Sequence, residues 1–216
     1  LTKLDFFGII EITKIEKGGS ILDTIYLDFD NTIVESNKKI IEILNNKYNL
    51  SKTEDDMNDY EFHSIYPISE KEKLDMFESD EFYTNLEFKP MVLEVLNKYK
   101  DVYNIIIVSK GTKNNLIKKE QWLKDNLPYQ LKFIGLSGQS FNKSEIDMSN
   151  GIQIDDNFNC LKTNAGLKIL YKSFNQFPWQ RPNSNEEYIA VNTWEEIDSI
   201  LDFYRNYNCK TLEKIR

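Results

Sequence analysis

The sequence predicts an α/β fold: a Rossmann-like, doubly wound parallel sheet with a small helical cap inserted after the first strand. Three observations carry that prediction. Short, nearly continuous apolar runs recur along the chain, the pattern of strands buried on both faces. Amphipathic helical stretches lie between most of them, and strands alternating with helices build a parallel sheet. One segment, residues 37–86, breaks the alternation with helical patterns and no strong strand.

In chain order the apolar runs are Thr24–Phe29, Ile105–Val108, Leu131–Leu136, Gly151–Ile154, Leu167–Tyr171 and Tyr188–Val191. After the first run, "NKKIIEILNNKYNL" and "SEKEKLDMFES" read as amphipathic helices, placed to cover that strand's C-terminal end. "PMVLEVLNKYK" opens with Pro90 near the first helical position, where a missing N–H is tolerated. "KNNLIKKEQWLKDNL" sets Leu116, Ile117, Trp122, Leu123 and Leu127 at mixed three- and four-residue spacing. "TWEEIDSILDFYRNY" offers Thr193 as N-cap with Glu196 three residues on, a capping box.

These elements divide the chain into a core of residues 23–36 and 87–208, a cap of 37–86, an N-terminal extension of 1–22 and a tail of 209–216. Two readings of the extension stay open. It forms a hairpin turning at Gly18-Gly19, or it is foreign to the fold. Lys-Gly-Gly is also what a purine-rich ribosome-binding site spells when translated, and that would put the start near Ile21 or Leu22.

With 216 residues, 40% of them hydrophobic, the chain can bury one sizeable core. It has no apolar run long enough to span a bilayer, and its first residues lack the basic-then-apolar layout of a signal peptide. Two cysteines, Cys160 and Cys209, make no disulfide framework. The expectation is a soluble, cytoplasmic protein without membrane partners. Net charge is −8, and Ser51–Glu87 alone, with twelve acidic and three basic residues, holds −9. Such a lobe is ordinarily a solvated helical face, but it also repels long nucleic acids as partners.

Four polar features follow apolar runs: Asp28 and Asp30 in "IYLDFDNTIVES", Ser109 in "IIIVSKGT", Lys143 in "FNKSEID", and Asp155-Asp156 in "IQIDDN". Each alone is ordinary, since a DxD can be a turn and a lone lysine a surface group. Together they can converge, because open α/β sheets bind ligands at the carboxyl ends of their strands. Asp28 with Asp155 and Asp156 supplies hard oxygen ligands suited to Mg²⁺. Ser109 and Lys143 add a hydroxyl and a cation for phosphate oxygens, and the amides of Phe29 and Asn31 offer further donors.

"IYLDFDNTIVES", "IIIVSKGT", Lys143 and "GIQIDDN" resemble the four motifs of the haloacid dehalogenase-like (HAD) phosphohydrolases, over about Asp23 to Tyr204. "MFESDEFYTNLEFKPMVLEVL", "KKEQWLKDNL" and "NTWEEI" are similar to the 5′(3′)-deoxyribonucleotidase branch. The resemblance implies an Mg²⁺-dependent phosphomonoesterase for small phosphorylated substrates, foremost (deoxy)nucleoside monophosphates. It implies Asp28 as the nucleophile that forms an aspartyl-phosphate and Asp30 as general acid–base, whose carbonyl also ligates the metal. Asp155 and Asp156 complete the metal site, and Ser109, Lys110 and Lys143 hold the phosphoryl group. Only 34 positions separate Ser109 from Lys143, so no second large insertion fits there, and a single cap resembles the small-molecule members.

In that branch, aromatic side chains of the cap sandwich the base. Tyr60, Phe62, Tyr66 and Phe77 are the candidates here, each equally able to be cap core, while Ser36 and the Phe141-Asn142 pair stand where the branch carries an aromatic and an arginine. His63 reads as a packing or surface residue, and Trp179 either packs a loop at the sheet's C-terminal edge or instead borders the site. Two other functions remain: a HAD phosphatase for a sugar phosphate or other metabolite, and a non-catalytic phosphate- or partner-binding protein on the same fold. A homodimer is compatible with all three.

Overall fold

The computed structural model describes residues 22–57, 62, 65–138 and 142–215, with side chains as far as 206. Six strands form one parallel sheet: β1 (Thr24–Leu27), β2 (Asn104–Gly111), β3 (Lys132–Ser137), β4 (Gly151–Asp155), β5 (Leu167–Tyr171) and β6 (Ile189–Val191). Their spatial order is β3-β2-β1-β4-β5-β6. The chain therefore winds outward one way from β1 and returns to wind the other way from β4. Where that order reverses, β1 and β4 leave a crevice beyond their carboxyl ends.

The strands sort their side chains with period two, as pleating requires. Ile25, Leu27, Ile105, Ile107, Ile152, Ile154 and Ile169 enter one large cluster with residues of the helices, including Ile40 and Leu44, Val95, Trp122 and Ile197. On the other face Tyr26, Ile106 and Val108 pack with Met148, and Leu170 packs with Phe158 and Leu161. That face is covered by short segments between strands, among them a 3₁₀ turn at Phe158–Leu161, instead of long helices. Gln153, buried on that face, is satisfied by the Cys160 carbonyl at 2.8 Å and the Thr163 hydroxyl at 2.6 Å. Gly151 is dictated by space, since a Cβ there would lie 2.3 Å from the Tyr26 ring.

Between β1 and β2 come α1 (Ser36–Tyr48), α2 (Glu70–Phe77), α3 (Asp80–Tyr83) and α4 (Val92–Tyr99). Helix α4 does not take Pro90 at its first position. Pro90 and Met91 form the turn ahead of it, with Met91 at φ 66°. Helix α5 (Lys113–Asn126) links β2 to β3, and α6 (Trp194–Ile215) closes the chain. The capping box of α6 forms: the Thr193 hydroxyl accepts the Glu196 amide at 3.2 Å, and the Glu196 carboxylate accepts the Thr193 amide at 3.3 Å. Its backbone continues to Ile215, through positions 209–215 of the expected tail.

The segment expected as a cap is helical and shares the main core with the sheet: Ile40, Met57, Phe62, Tyr66, Met76 and Phe82 belong to one continuous cluster with it. The two chain crossings into and out of it run side by side. Glu35 N donates to Glu87 O at 3.0 Å and Lys89 N to Ile33 O at 2.9 Å. A buried ion pair, Lys89–Glu35 at 2.6 Å, clamps this junction. The Gly18-Gly19 hairpin, Tyr60, His63 and Phe141 lie outside the described residues.

Candidate active site

Strand β1 lies between β2 and β4, with Leu27 opposite both Ile107 and Ile154. The next residues, Asp28 and Asp155, are therefore neighbours at the crevice, and the Asp28 amide extends the ladder to Ile154 O at 3.0 Å. One carboxylate oxygen each from Asp28, Asp155 and Asp156 lies within 4.8 Å of the others. Into this group reaches Lys143, from a 3₁₀ turn at Lys143–Glu145 whose N-cap is Asn142. Its ammonium touches Asp28 Oδ1 at 2.5 Å and Asp155 Oδ2 at 2.6 Å. Asp155 Oδ1 also accepts the Asn157 amide at 3.0 Å, and Asp156 Oδ2 accepts the Trp179 indole N–H at 3.0 Å.

The electrostatics show an unbalanced cluster. Burial pushes the Asp28 carboxyl up to about 7, Lys143 opposes the rise, and Asp155 and Asp30 add to it. Asp156 is held well above the usual carboxylate range by burial, then by Asp28 and Asp155. Burial works to lower the Lys143 ammonium, but Asp155 and Asp28 outweigh it and hold it well above its ordinary value. One ammonium thus stands among three carboxylates, Asp155 and Asp156 buried and Asp28 largely so. Burying charge is costly unless it is paired or bound to metal. Three hard oxygens in reach of one point, short of positive charge, fit a divalent cation of the Mg²⁺ type. Cys160 lies nearby, and burial, with Asp155 next, raises its thiol, so it offers no thiolate nucleophile.

The β2 side of the crevice holds Asp30 and Ser109. Ser109 lies inside β2, one turn of pleat before its end, and is fully buried. Asp30 Oδ1 accepts the Ser36 hydroxyl at 2.7 Å. Asp30 Oδ2 pairs with Lys119, whose ammonium also donates to Ser109 Oγ at 2.9 Å and Lys110 O at 3.4 Å, above the Phe29 ring at 5.5 Å. Lys119 is 1% exposed. Sequence reasoning missed it. The signal was there, because Asn115, Leu116, Lys119, Trp122 and Leu123 form the buried stripe of α5, and a lysine on an apolar stripe needs a partner. Ser36 was likewise passed over, seen as a place where an aromatic is absent instead of as a partner for Asp30.

Gly111 lets α5 start close against β2, since a Cβ there would lie 2.2 Å from Asn115 Oδ1. Asn115 in turn donates to Phe77 O and to the Tyr83 hydroxyl, both at 2.9 Å. Glu78 accepts from Thr112 and, at 3.2 Å, from Asn114. The first turn of α5 thereby ties α2 and α3 to the rim of the crevice.

Other predicted residues fall as follows. Phe29 is buried edge-on against Trp122, and Asn31 adopts φ 54°, with its side chain bonded to Asn37 at 2.8 and 3.0 Å. Lys110 is exposed, and its carbonyl is the part that meets Lys119. Phe62 and Tyr66 are core residues, 3% and 2% exposed, and the Tyr66 hydroxyl is bound to Asn45 at 2.8 Å. Both belong to the main hydrophobic cluster, which is the packing alternative weighed for them. Phe77 is half-buried against Phe82 at 5.2 Å and sits beside the Asn115 contact. Trp179 combines what had stood as alternatives: its ring stacks on Phe177 at 4.4 Å, and its indole N–H donates to Asp156.

Comparison with known proteins agrees with this geometry. The sequence profile of the 5′ nucleotidase, deoxy (pyrimidine), cytosolic type C protein family matches residues 22–205. A 5′(3′)-deoxyribonucleotidase of Clostridium acetobutylicum is 22% identical over 187 residues, covering 85% of this chain and 97% of that protein. Among solved structures, a haloacid dehalogenase-like family hydrolase of Streptococcus pneumoniae superposes with a TM-score of 0.58 at 15% identity, over 83% of this chain and 98% of that one. A HAD-hydrolase of Bacillus subtilis, solved bound to magnesium, gives 0.51 at 13% identity, over 83% and 98%. At such identities the structural likeness speaks for the fold.

Proposed function

This chain belongs to the 5′ nucleotidase, deoxy (pyrimidine), cytosolic type C family, and from that premise we propose that it is a Mg²⁺-dependent phosphomonoesterase of (deoxy)nucleoside monophosphates working through an aspartyl-phosphate. The observation that carries the reading is that carboxylate oxygens of Asp28, Asp155 and Asp156 lie within 4.8 Å of one another at the switch in strand order, with Lys143 between two of them. Asp28, Asp155 and Asp156 would hold Mg²⁺, with the Asp30 carbonyl as the fourth protein ligand implied by the resemblance. When bound, the cation would supply charge neutralisation, letting a carboxylate approach a phosphate dianion, and Lewis acidity toward a phosphoryl oxygen.

The chain's own groups account for the rest. Asp28 attacks phosphorus; the P–O ester bond breaks as its electron pair leaves with the alcohol oxygen, which takes a proton from Asp30. Asp30 then takes a proton from a water whose oxygen attacks phosphorus, freeing Asp28 and inorganic phosphate. Ser36 and Lys119 keep the Asp30 carboxyl aimed for both transfers. Lys119 also bridges to Ser109, so a phosphoryl group bound at that hydroxyl shares its charge. Lys143 orients Asp28 and screens it from Asp155. Phe77 and Tyr60 are the aromatic candidates left for the base, and the acidic cap keeps the substrate small. No helix among the described residues is long and apolar enough to cross a membrane.

The test is phosphate release with Mg²⁺ from deoxynucleotides, ribonucleotides and sugar phosphates. Release foremost from deoxynucleoside monophosphates, abolished in Asp28→Asn, is expected. A preference for sugar phosphates would move the substrate to another metabolite class. Folded, metal-loaded protein inert on every class would leave a binding protein. Full activity of Asp28→Asn would refute the nucleophile.

A further inference from the structure

The connection from β5 to β6 contains "SFNQFPWQRP", and its middle is held by local contacts. A 3₁₀ turn spans Pro178–Gln180, and the Gln180 side chain accepts the Phe177 amide at 3.2 Å. The Phe177 and Trp179 rings stack with centroids 4.4 Å apart and planes 12° apart. Trp179 is 7% exposed, and its indole N–H reaches Asp156 Oδ2 at 3.0 Å, across 23 positions of chain.

We propose that Trp179 is a positioning residue for the divalent cation: its indole holds the Asp156 carboxylate in the orientation that cation binding needs. The inference rests on the Mg²⁺ site proposed above. Its physical basis is the uneven support of the three carboxylates. Lys143 holds Asp28 and Asp155, and Asp155 has the Asn157 amide as well. Asp156 lies just beyond the end of β4, on a bend, where the ladder no longer sets its direction. Without a partner of its own, a carboxylate there would swing away from two like charges before a cation arrives. A lysine or arginine could stop that only by neutralising the charge the cation needs. An indole N–H is a donor only and carries no charge, so it orients the carboxylate and leaves the charge for the metal. Partners of this kind behind metal ligands typically contribute a factor of 10–100 in affinity.

The test uses the full chain and titrates Mg²⁺ alone by calorimetry into EDTA-stripped, dialysed protein. Two variants are compared with wild type: Trp179→Phe, and position 179 carrying 3-benzothienylalanine, the isostere in which sulfur replaces the indole N–H and the Phe177 stack is kept. The expected result is a Mg²⁺ Kd raised roughly 10–100-fold in both, with the KM for a phosphomonoester at saturating Mg²⁺ near that of wild type. If Trp179→Phe does not fold, the isostere decides. A folded isostere variant that binds Mg²⁺ within twofold of wild type overturns the proposal. Wild-type protein that takes up no Mg²⁺ overturns it together with the metal reading, and the wild-type arm alone identifies that outcome.

Discussion

Removing the charge of Asp28 ought to make the metal-free protein more stable while destroying its activity. In the folded chain Asp28 is raised from 3.8 to about 7, by burial foremost. A carboxyl whose folded value lies above its unfolded one stabilises the fold fully only below the unfolded value. That contribution is lost as pH rises towards 7, because the folded state must then hold a buried charge. Over that interval, at 1.36 kcal/mol per pH unit, the loss comes to about 4 kcal/mol. The figure is an upper one, since a proton can be shared over three coupled carboxylates. Asn at position 28 carries no such charge, and Lys143 keeps its partner Asp155 at 2.6 Å. In EDTA at pH 8, Asp28→Asn is therefore expected to exceed wild type by about 2–4 kcal/mol in urea unfolding, on the order of 10 °C in Tm for a chain of this size. The gap should close as pH falls towards 4. Saturating Mg²⁺ should shrink or invert it, because wild type then binds the cation more tightly and gains more by mass action. Wild type as stable as the variant in EDTA at pH 8, or a gap indifferent to pH, would refute the argument that this site is held in charge deficit until a cation binds.

Asp30→Asn is expected to lower kcat by ~10²–10⁴-fold with Mg²⁺ affinity little changed, measured by steady-state kinetics beside calorimetry; an unaltered kcat would remove Asp30 from the proton transfers. Lys119→Met breaks a buried pair and should cost about 3 kcal/mol in urea unfolding, toward the low end of such losses because the Asp30 side chain is 19% exposed. Adding Asp30→Asn should recover part of it, and a purely additive double variant would count against the pairing. In the cap, the Ser69 amide and Lys47 hold the Glu72 carboxyl down to about 2. Its contribution is thus present above the usual carboxylate pKa and fades as pH falls towards 2. Protection of the α2 amides, taken relative to intrinsic exchange at each pH, should fall on acidification in wild type and be low at every pH in Glu72→Ala.

Much of the fold was legible because it rests on local regularities. Six apolar runs announced six strands, and Thr193 with Glu196 announced the start of α6. Pro90 falls two residues before the helix it was expected to open, since Met91 takes a left-handed conformation that no local rule demanded. The candidate site was legible to the extent that its residues sit at strand ends, where chain position and spatial position agree: Asp28, Ser109, Asp155 and Asp156 did. Lys119 did not, because it acts across packing from the middle of a helix, and for Trp179 nothing in the loop's sequence named Asp156 as its partner. Phe62 and Tyr66 show the converse. Aromatic composition alone cannot tell a ring that packs the cap from one that faces a ligand.

By itself, then, the sequence determined the alternation of strands and helices, the acidic cap and the ordered set of carboxylates, serine and lysine that these elements carry. Those follow from periodicity and from the chemistry of single residues. Only the tertiary structure decided which groups hold the acidic residues in place: Ser36 and Lys119 on Asp30, Lys143 between Asp28 and Asp155, Trp179 behind Asp156. The reason is physical. A buried charge needs a partner at hydrogen-bonding distance, and the chain can supply one from any position that packing brings near, with no rule of spacing to reveal which.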